Sequence, residues 1–499
     1  MRYVTMGIAL LWCAAAPGET YFVSEYGDDS WPGTSADSAF ATLQHAADLV
    51  VPGDSVMCLD GFYAGFDLRQ GGEETQPIVF STTGSNACID QENPITPDGI
   101  NLEGADWVTV EGYRLSGLPR NGIRVVLSDH VTVRNCICEN CYERGIFTGF
   151  ADWMTIEENV CSGSVDEHGI YHSNSGDHPV IRFNQCHHNS GCGIHMNGDL
   201  SAGGDGIISD AVVEGNVIYE NGTSGGSGIN CDGVVESVIF NNLIYMNHSS
   251  GISLYMIDGA SGSHHVEVYN NTVVQAADGR WGININSGST HGTLLNNIIL
   301  SAHSWRGSVS IDASSQTGFQ SDNNLLEDRM SADGGSTVIT LAQWQSLGWD
   351  PESEVCADWY STFLDWYSGD FHYMTGSQAI DSGTDQVQGT VTEDLDGVPR
   401  PQGAFYDTGC YEMWPLGLDP QGDGGGGVSV TGASGLYLFR GIPDDSSIEV
   451  YDLTGRSVAS PEGSAGTAFW DTTGHPAGVY LFAVLREGYV LESGKLVNY

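Results

Sequence analysis

The chain has 499 residues, with 64 Asp and Glu against 16 Lys and Arg, and a formal net charge of −48. That balance excludes a protein built to hold nucleic acid or an anionic membrane, since neither finds a phosphate-neutralising patch. The length suffices for one large domain and a small accessory one. Such acidity suits an exterior protein whose charge is screened by salt or calcium, and intracellular adaptation to salt is the competing cause.

In chain order, Arg2 precedes an apolar run from Ile8 to Cys13 and then Ala14, Ala15 and Ala16. This reads as a secretory signal over residues 1–16, so the protein is expected outside the cell or attached to its surface. Bulky Trp12 before Cys13 is a poor lipidation context, and no other run is long enough to span a membrane. Residues 20–24 read as an opening strand, and residues 40–49 as a short helix capping the first coil. Strands are expected at 53–59, 77–81 and 107–112.

From residue 121 to 300 the chain is a string of imperfect repeats marked by Gly-Ile pairs. They begin at Gly122, Gly145, Gly169, Gly193, Gly228, Gly251 and Gly282. Units this short, made of alternating strands, predict a solenoid. No helix fits inside each unit, so the economical form is a parallel β-helix with like residues stacked at about 4.8 Å. Parallel crossovers make it right-handed. Period-two alternation points the Ile column inward and Tyr171, His195 and Asn230 outward, with Ser173, Asn197 and Asp232 in the next outward column. Asn159, Asn184, Asn216, Asn242, Asn271 and Asn297 recur at a corner, where Asn accepts a left-handed backbone and reaches a neighbouring turn's amide. Cys138, Cys161 and Cys186 share a column that continues as Ile218, Ile244, Val273 and Ile299. That column reads as core, which favours buried thiols over disulfides. Cys136, Cys138 and Cys141 lack zinc-site spacing.

Residues 342–370 are aromatic-rich and read as an irregular or helical cover. The β-helix domain is expected to span residues 17–416. A Gly-rich linker follows at 417–427, and residues 428–499 carry short alternating strands that predict a small β-sandwich. The fold class is therefore all-β: a right-handed parallel β-helix followed by a small sandwich.

Three stretches carry a family resemblance. Tyr21-Phe22-Val23-Ser24 through Trp31-Pro32-Gly33-Thr34, and Pro52-Gly53-Asp54-Ser55-Val56, form an opening. Asp396-Gly397-Val398-Pro399-Arg400-Pro401, with Asp407-Thr408-Gly409-Cys410-Tyr411-Glu412, forms a close. With these, residues 20–415 resemble the secreted right-handed β-helix superfamily of pectate-lyase-like architecture. That superfamily includes lyases, epimerases, hydrolases and proteins without shown activity. Val450-Tyr451-Asp452-Leu453-Thr454-Gly455-Arg456, Ala477-Gly478-Val479-Tyr480 and Gly494-Lys495-Leu496-Val497 resemble the sorting domains of type IX secretion. That resemblance implies the secretion machinery as a partner.

The densest chemistry lies in residues 166–199. A uronate polysaccharide suits it. Removing the C5 proton needs a neutraliser for the carboxylate, a base and a proton donor. His195 is the candidate base, since imidazole titrates near neutrality. Tyr171 or His168 is the candidate acid. Arg280, or a calcium ion held by Asp199, Asp205 and Asp232, would neutralise the substrate. Asn197, Asn230, Ser173, Arg182 and Trp281 are candidate substrate contacts. His172 falls in the inward column and is expected to be an interior hydrogen-bonded group. Asp166-Glu167-His168 also resembles the Asp-Pro-His signature of mannuronan C5-epimerases, with Glu in place of Pro, which implies roles for Asp166 and His168. A lyase or C5-epimerase is thus the leading expectation. A non-catalytic glycan-binding or scaffold protein is the alternative, with a two-carboxylate hydrolase behind it. The polysaccharide is the expected partner, and the chain is expected to be monomeric.

Overall fold

A computed structural model of the protein describes residues 18–413 and, between 429 and 498, the strands of a second unit with short interruptions. The signal segment 1–16 and the linker 417–427 lie outside the described residues. The chain divides into two compact units, Met1–Met413 and Trp414–Tyr499.

The first unit is the expected right-handed parallel β-helix. Its three long parallel sheets hold 12, 10 and 12 strands, and each inner strand pairs with its equivalents in the coils above and below. The Gly-Ile repeat has a steric origin. A Cβ on Gly122, Gly145, Gly169 or Gly193 would meet the carbonyl oxygen of the next coil's glycine at 2.6–2.8 Å. Only glycine allows backbones to pack that closely. The following isoleucines, from Ile123 to Ile283, are fully buried and stand in register along the 10-stranded sheet. The Cys138, Cys161 and Cys186 column is core as expected, and every described cysteine is free.

The asparagine column is a continuous hydrogen-bonded ladder. Each Oδ1 accepts the backbone N–H and the Nδ2 of the asparagine one coil earlier, as at Asn184 and Asn216. Each Nδ2 also donates to a backbone carbonyl, as Asn216 does to Ile181. Cys136, in the matching slot, donates its N–H to Asn159 and starts the ladder. One expectation needs correction. The left-handed residue is not the ladder asparagine but its predecessor, including Glu158, Phe183, Asn241, Asn270 and Asn296 at φ near +50 to +58°. The reversal there aims the next side chain inward, where it is buried. A second ladder, Asn189–Asn221–Asn247, runs along the neighbouring corner and escaped the sequence reading.

Both ends of the helix interior are covered. At the start, helix Leu43–Ala47 begins at Thr42, whose hydroxyl accepts from the His45 N–H, and buries Leu43, Ala46 and Ala47. Toward the end, helix Leu341–Gln345 drives Trp344 into the core, where its indole N–H bonds Asp350 at 2.7 Å. Residues 396–412 close the unit through a fully buried ion pair, Arg400–Glu412 at 3.0 Å. Arg400 also donates to the carbonyls of Asp407 and Gly409. Burial and the Glu412 carboxylate push Asp407 up to about 7.

The second unit has two four-stranded antiparallel sheets. Phe439, Val450, Trp470, Phe482 and Val484 form its core, which accounts for the alternation seen in the sequence.

Two predictions follow from the buried polar groups. Asn216→Ala strips partners from Asn184 and Ile181 and should cost about 1–3 kcal/mol for each group left unsatisfied. Arg400→Ala leaves Glu412 unpaired in the interior and should cost about 3–5 kcal/mol. The midpoint of urea unfolding, followed by circular dichroism, checks both. A midpoint equal to wild type would remove the structural role of either residue.

Candidate active site

The 10-stranded sheet presents the site. Its strands Ile170–Ser173 and Ile194–Asn197 lie side by side, pairing Tyr171 with His195 and Ser173 with Asn197. The next strand, Ser227–Asp232, pairs Asn230 with His195. Tyr171, His195 and Asn230 are therefore neighbours, as the repeat register required. The Tyr171 and His195 rings stack at 4.7 Å with an interplanar angle of 12°. His168 meets both edge-on, at 5.1 and 4.7 Å. Asn197 donates its Nδ2 to the Tyr171 hydroxyl at 3.1 Å.

The cation of this cluster is Arg144, which the sequence reading missed. Its guanidinium lies 5.0 Å from the Phe147 ring and 5.1 Å from the Tyr171 ring. It pairs with Glu143 at 2.6 Å and with Glu167 at 2.5 Å. The signal was present: Arg144 precedes Gly145-Ile146 as His168 precedes Gly169-Ile170, so the two share one register position.

Hydrogen bonds fix the imidazole tautomers. The backbone N–H of Cys192 donates to His168 Nδ1 at 2.9 Å, so a neutral His168 carries its proton on Nε2. That nitrogen lies 3.0 Å from His195 Nδ1 and donates to it. The His195 proton therefore sits on Nε2, which is buried without a hydrogen-bond partner. Burial, reinforced by Arg144, pushes His195 down to about 3. Burial first, then His195 and Arg144, also hold His168 well below the ordinary imidazole range. The expectation of a base titrating near neutrality is thus corrected: at neutral pH His195 is an uncharged hydrogen-bond donor. Burial raises the Tyr171 phenol above its ordinary value, although Asn197 and Arg144 oppose the shift.

Several other sequence candidates fall elsewhere. Arg182 sits on strand Val180–Arg182 of a different sheet and is bound to Glu157. Arg280 and Trp281 belong to the coil of Asn284, three strand spacings or about 14 Å from His195. Trp281 is buried against Trp305. Asp166 is exposed, and its neighbour Glu167 is the acid that reaches Arg144. Ser173 and Asn230 do stay on the 10-stranded sheet but are buried there: Ser173 donates to the Thr148 carbonyl, and Asn230 donates to the Tyr255 hydroxyl at 2.6 Å. His172 is interior as expected, bonded to Thr148 at 2.6 Å and to the Gly176 carbonyl.

The acids expected to hold calcium accept hydrogen bonds from loop groups. Asp232 accepts three backbone N–H groups, from Ile257, Asp258 and Gly259. Asp199 accepts from Ser201, and Asp205 from the Ile207 N–H. Among the described residues, the one set of three possible ligand atoms within 4.8 Å of one another is His168, Cys192 and His195. That set does not fit a metal. An imidazole bound through Nε2 needs a proton on Nδ1, yet His168 Nδ1 faces an amide donor. Burial also pushes the Cys192 thiol up to about 12.

Comparison with known proteins agrees with the architecture. Residues 66–202 match the family model described as periplasmic copper-binding protein (NosD), and residues 151–326 match that of a right handed beta helix region. No curated protein matches the sequence. Among solved structures, pectate lyase Pel9A is similar at a TM-score of 0.55 and 16% identity, over 80% of this chain and 97% of that one. A rhamnogalacturonan lyase gives 0.46 at 17% identity, over 62% of this chain and 87% of its own. An alginate lyase from Paenibacillus sp. str. FPU-7 gives 0.40 at 17% identity, over 58% and 95%. At 16% identity the likeness to Pel9A is one of fold. The chain is a right-handed parallel β-helix of pectate-lyase-like architecture.

The buried neutral imidazoles set a pH dependence of stability. An unfolded His195 titrates near 6.5, and the folded one near 3. Between those values the unfolded chain binds more protons, so stability falls as pH drops through that window. The melting temperature should therefore decline from pH 6.5 to pH 4, and less steeply in His195→Asn. Equal slopes would contradict the buried neutral state.

Proposed function

We propose that the protein is exported and acts on uronic-acid-containing polysaccharide by removing the C5 proton, as a lyase in the first place and a C5-epimerase in the second. One observation carries this reading: the Arg144 guanidinium and the Tyr171 phenol share one ribbon of the 10-stranded sheet, with the His195 ring stacked on the phenol. Arg144 supplies the positive charge that a uronate carboxylate needs when its α-carbon loses a proton. Tyr171, as phenolate, takes the C5 proton. The electron pair moves into the C5–C6 bond and onto the carboxylate. As the C4–O4 bond breaks, that pair returns to form the C4–C5 double bond, and Tyr171 gives the proton to the departing O4. A single proton carrier on one face favours elimination over epimerisation, which needs a second donor across the ring. Asn197 holds the phenol oxygen in place.

A polyanion reaching a chain of charge −48 needs such local cations. No helix among the described residues is long and apolar enough to cross a membrane. The second unit is read as a type IX sorting domain, and the chain as a monomer. Non-catalytic glycan binding is the second reading. It is favoured by Glu143 and Glu167, which already pair Arg144, and by imidazoles that stay uncharged at neutral pH.

The test is incubation of the full chain with alginate, pectate and glycosaminoglycans. Ultraviolet absorbance of unsaturated uronate reads elimination, and solvent-proton exchange at C5 reads epimerisation. Tyr171→Phe should lower turnover by about 10²- to 10⁴-fold. Because the raised phenol must ionise, activity should climb through the alkaline range, with no inflection in the ordinary imidazole range. An inflection near pH 6.5 that disappears in His195→Asn would return the base role to His195. Retention on glycan gels without turnover would favour the binding protein.

A further inference from the structure

The ribbon bearing Tyr171 continues toward the start of the β-helix, and its cations are unevenly engaged. Arg120 is clamped by a two-point contact onto Asp98, whose side chain is fully buried, so it is structural. Arg69 is bonded to Asp67 and reaches Glu103. Arg124 differs. It sits on strand Asn121–Val126 in the outward column, paired with Phe147, which in turn pairs with Tyr171. Its Nη1 is used twice, by Asn101 at 2.6 Å and Glu103 at 3.1 Å. Its Nε and Nη2 have no hydrogen-bond partner among the described residues, and the side chain is 20% exposed. Two fixed N–H groups from one guanidinium, held by a carboxylate and an amide behind it, present the fork that receives a carboxylate edge-on.

We infer that Arg124 is a second carboxylate subsite, so the substrate carries acidic sugars in succession rather than one isolated uronate. This rests on the uronate reading of the Tyr171 cluster. Arg124 stands two strand spacings from Tyr171 along the stack, about 10 Å. A chain lying along the ribbon covers that distance with about two pyranose rings, so the carboxylate that Arg124 meets belongs to a different sugar from the one whose C5 faces Tyr171. Parallel in-register stacking supplies the spacing without any dedicated loop. Asn101 and Glu103, one coil earlier, hold Arg124 in its outward pose.

The test compares full-length wild type with Arg124→Gln on uronate oligomers of graded length, reading binding by calorimetry separately from turnover. Arg114→Gln serves as the control, since Arg114 lies on a different sheet and pairs with Glu139. Losing a charge-assisted contact should weaken binding of oligomers long enough to reach Arg124 by about tenfold or more. Disaccharides and the Arg114→Gln variant should be unaffected. Equal weakening at every length, or none at any length, overturns the subsite. Because binding is read without turnover, a wild type that binds but does not react would sink the catalytic reading while leaving this one standing. A wild type that binds no uronate oligomer would sink both.

Discussion

Everything in the site depends on successive coils lying directly over one another at the strand spacing. Two features enforce that register. The glycines before each core isoleucine bring backbones too close for any side chain. The asparagine ladder ties each coil to the next by a backbone N–H and a side-chain amide at once. A one-residue slip would break those bonds and turn the isoleucines outward. The same rigidity sets Tyr171 on His195, although 24 residues separate them in the chain.

Burial then decides what the assembled groups can do. Imidazoles on an open ribbon would titrate near neutrality. Here His168 and His195 are shielded by Tyr171 and by each other, with Arg144 nearby, so both stay uncharged. A backbone amide of Cys192 fixes the direction of the whole chain of donors. The positive character of the site comes from Arg144, held between two glutamates in an otherwise strongly acidic protein. Such a site offers a carboxylate one cation and one phenol.

The fold was legible because a solenoid writes its geometry as a period. The Gly-Ile pairs gave the register, the cysteine column gave an inward face, and the asparagines marked a corner. The left-handed residue was misassigned because it carries no common residue type; Glu158 and Phe183 hold it as Asn241 does. Part of the site was equally legible: Tyr171, His195, Asn197 and Asn230 share the ribbon expected of them. Arg144 lies one coil before the polar-rich residues 166–199, and only its register position, shared with His168, marks it. Arg182, Arg280 and Trp281 were chosen as nearby types without following their register to another sheet or a distant coil. The protonation states were beyond the sequence, since they depend on which side chains cover a ring and on one amide hydrogen bond.

The most direct measurement is a crystal structure of the full chain soaked with a uronate trisaccharide. A carboxylate seated at Arg144, with its sugar against Tyr171, is the expected result. A trisaccharide bound on either 12-stranded sheet, with this ribbon unaltered, would contradict it.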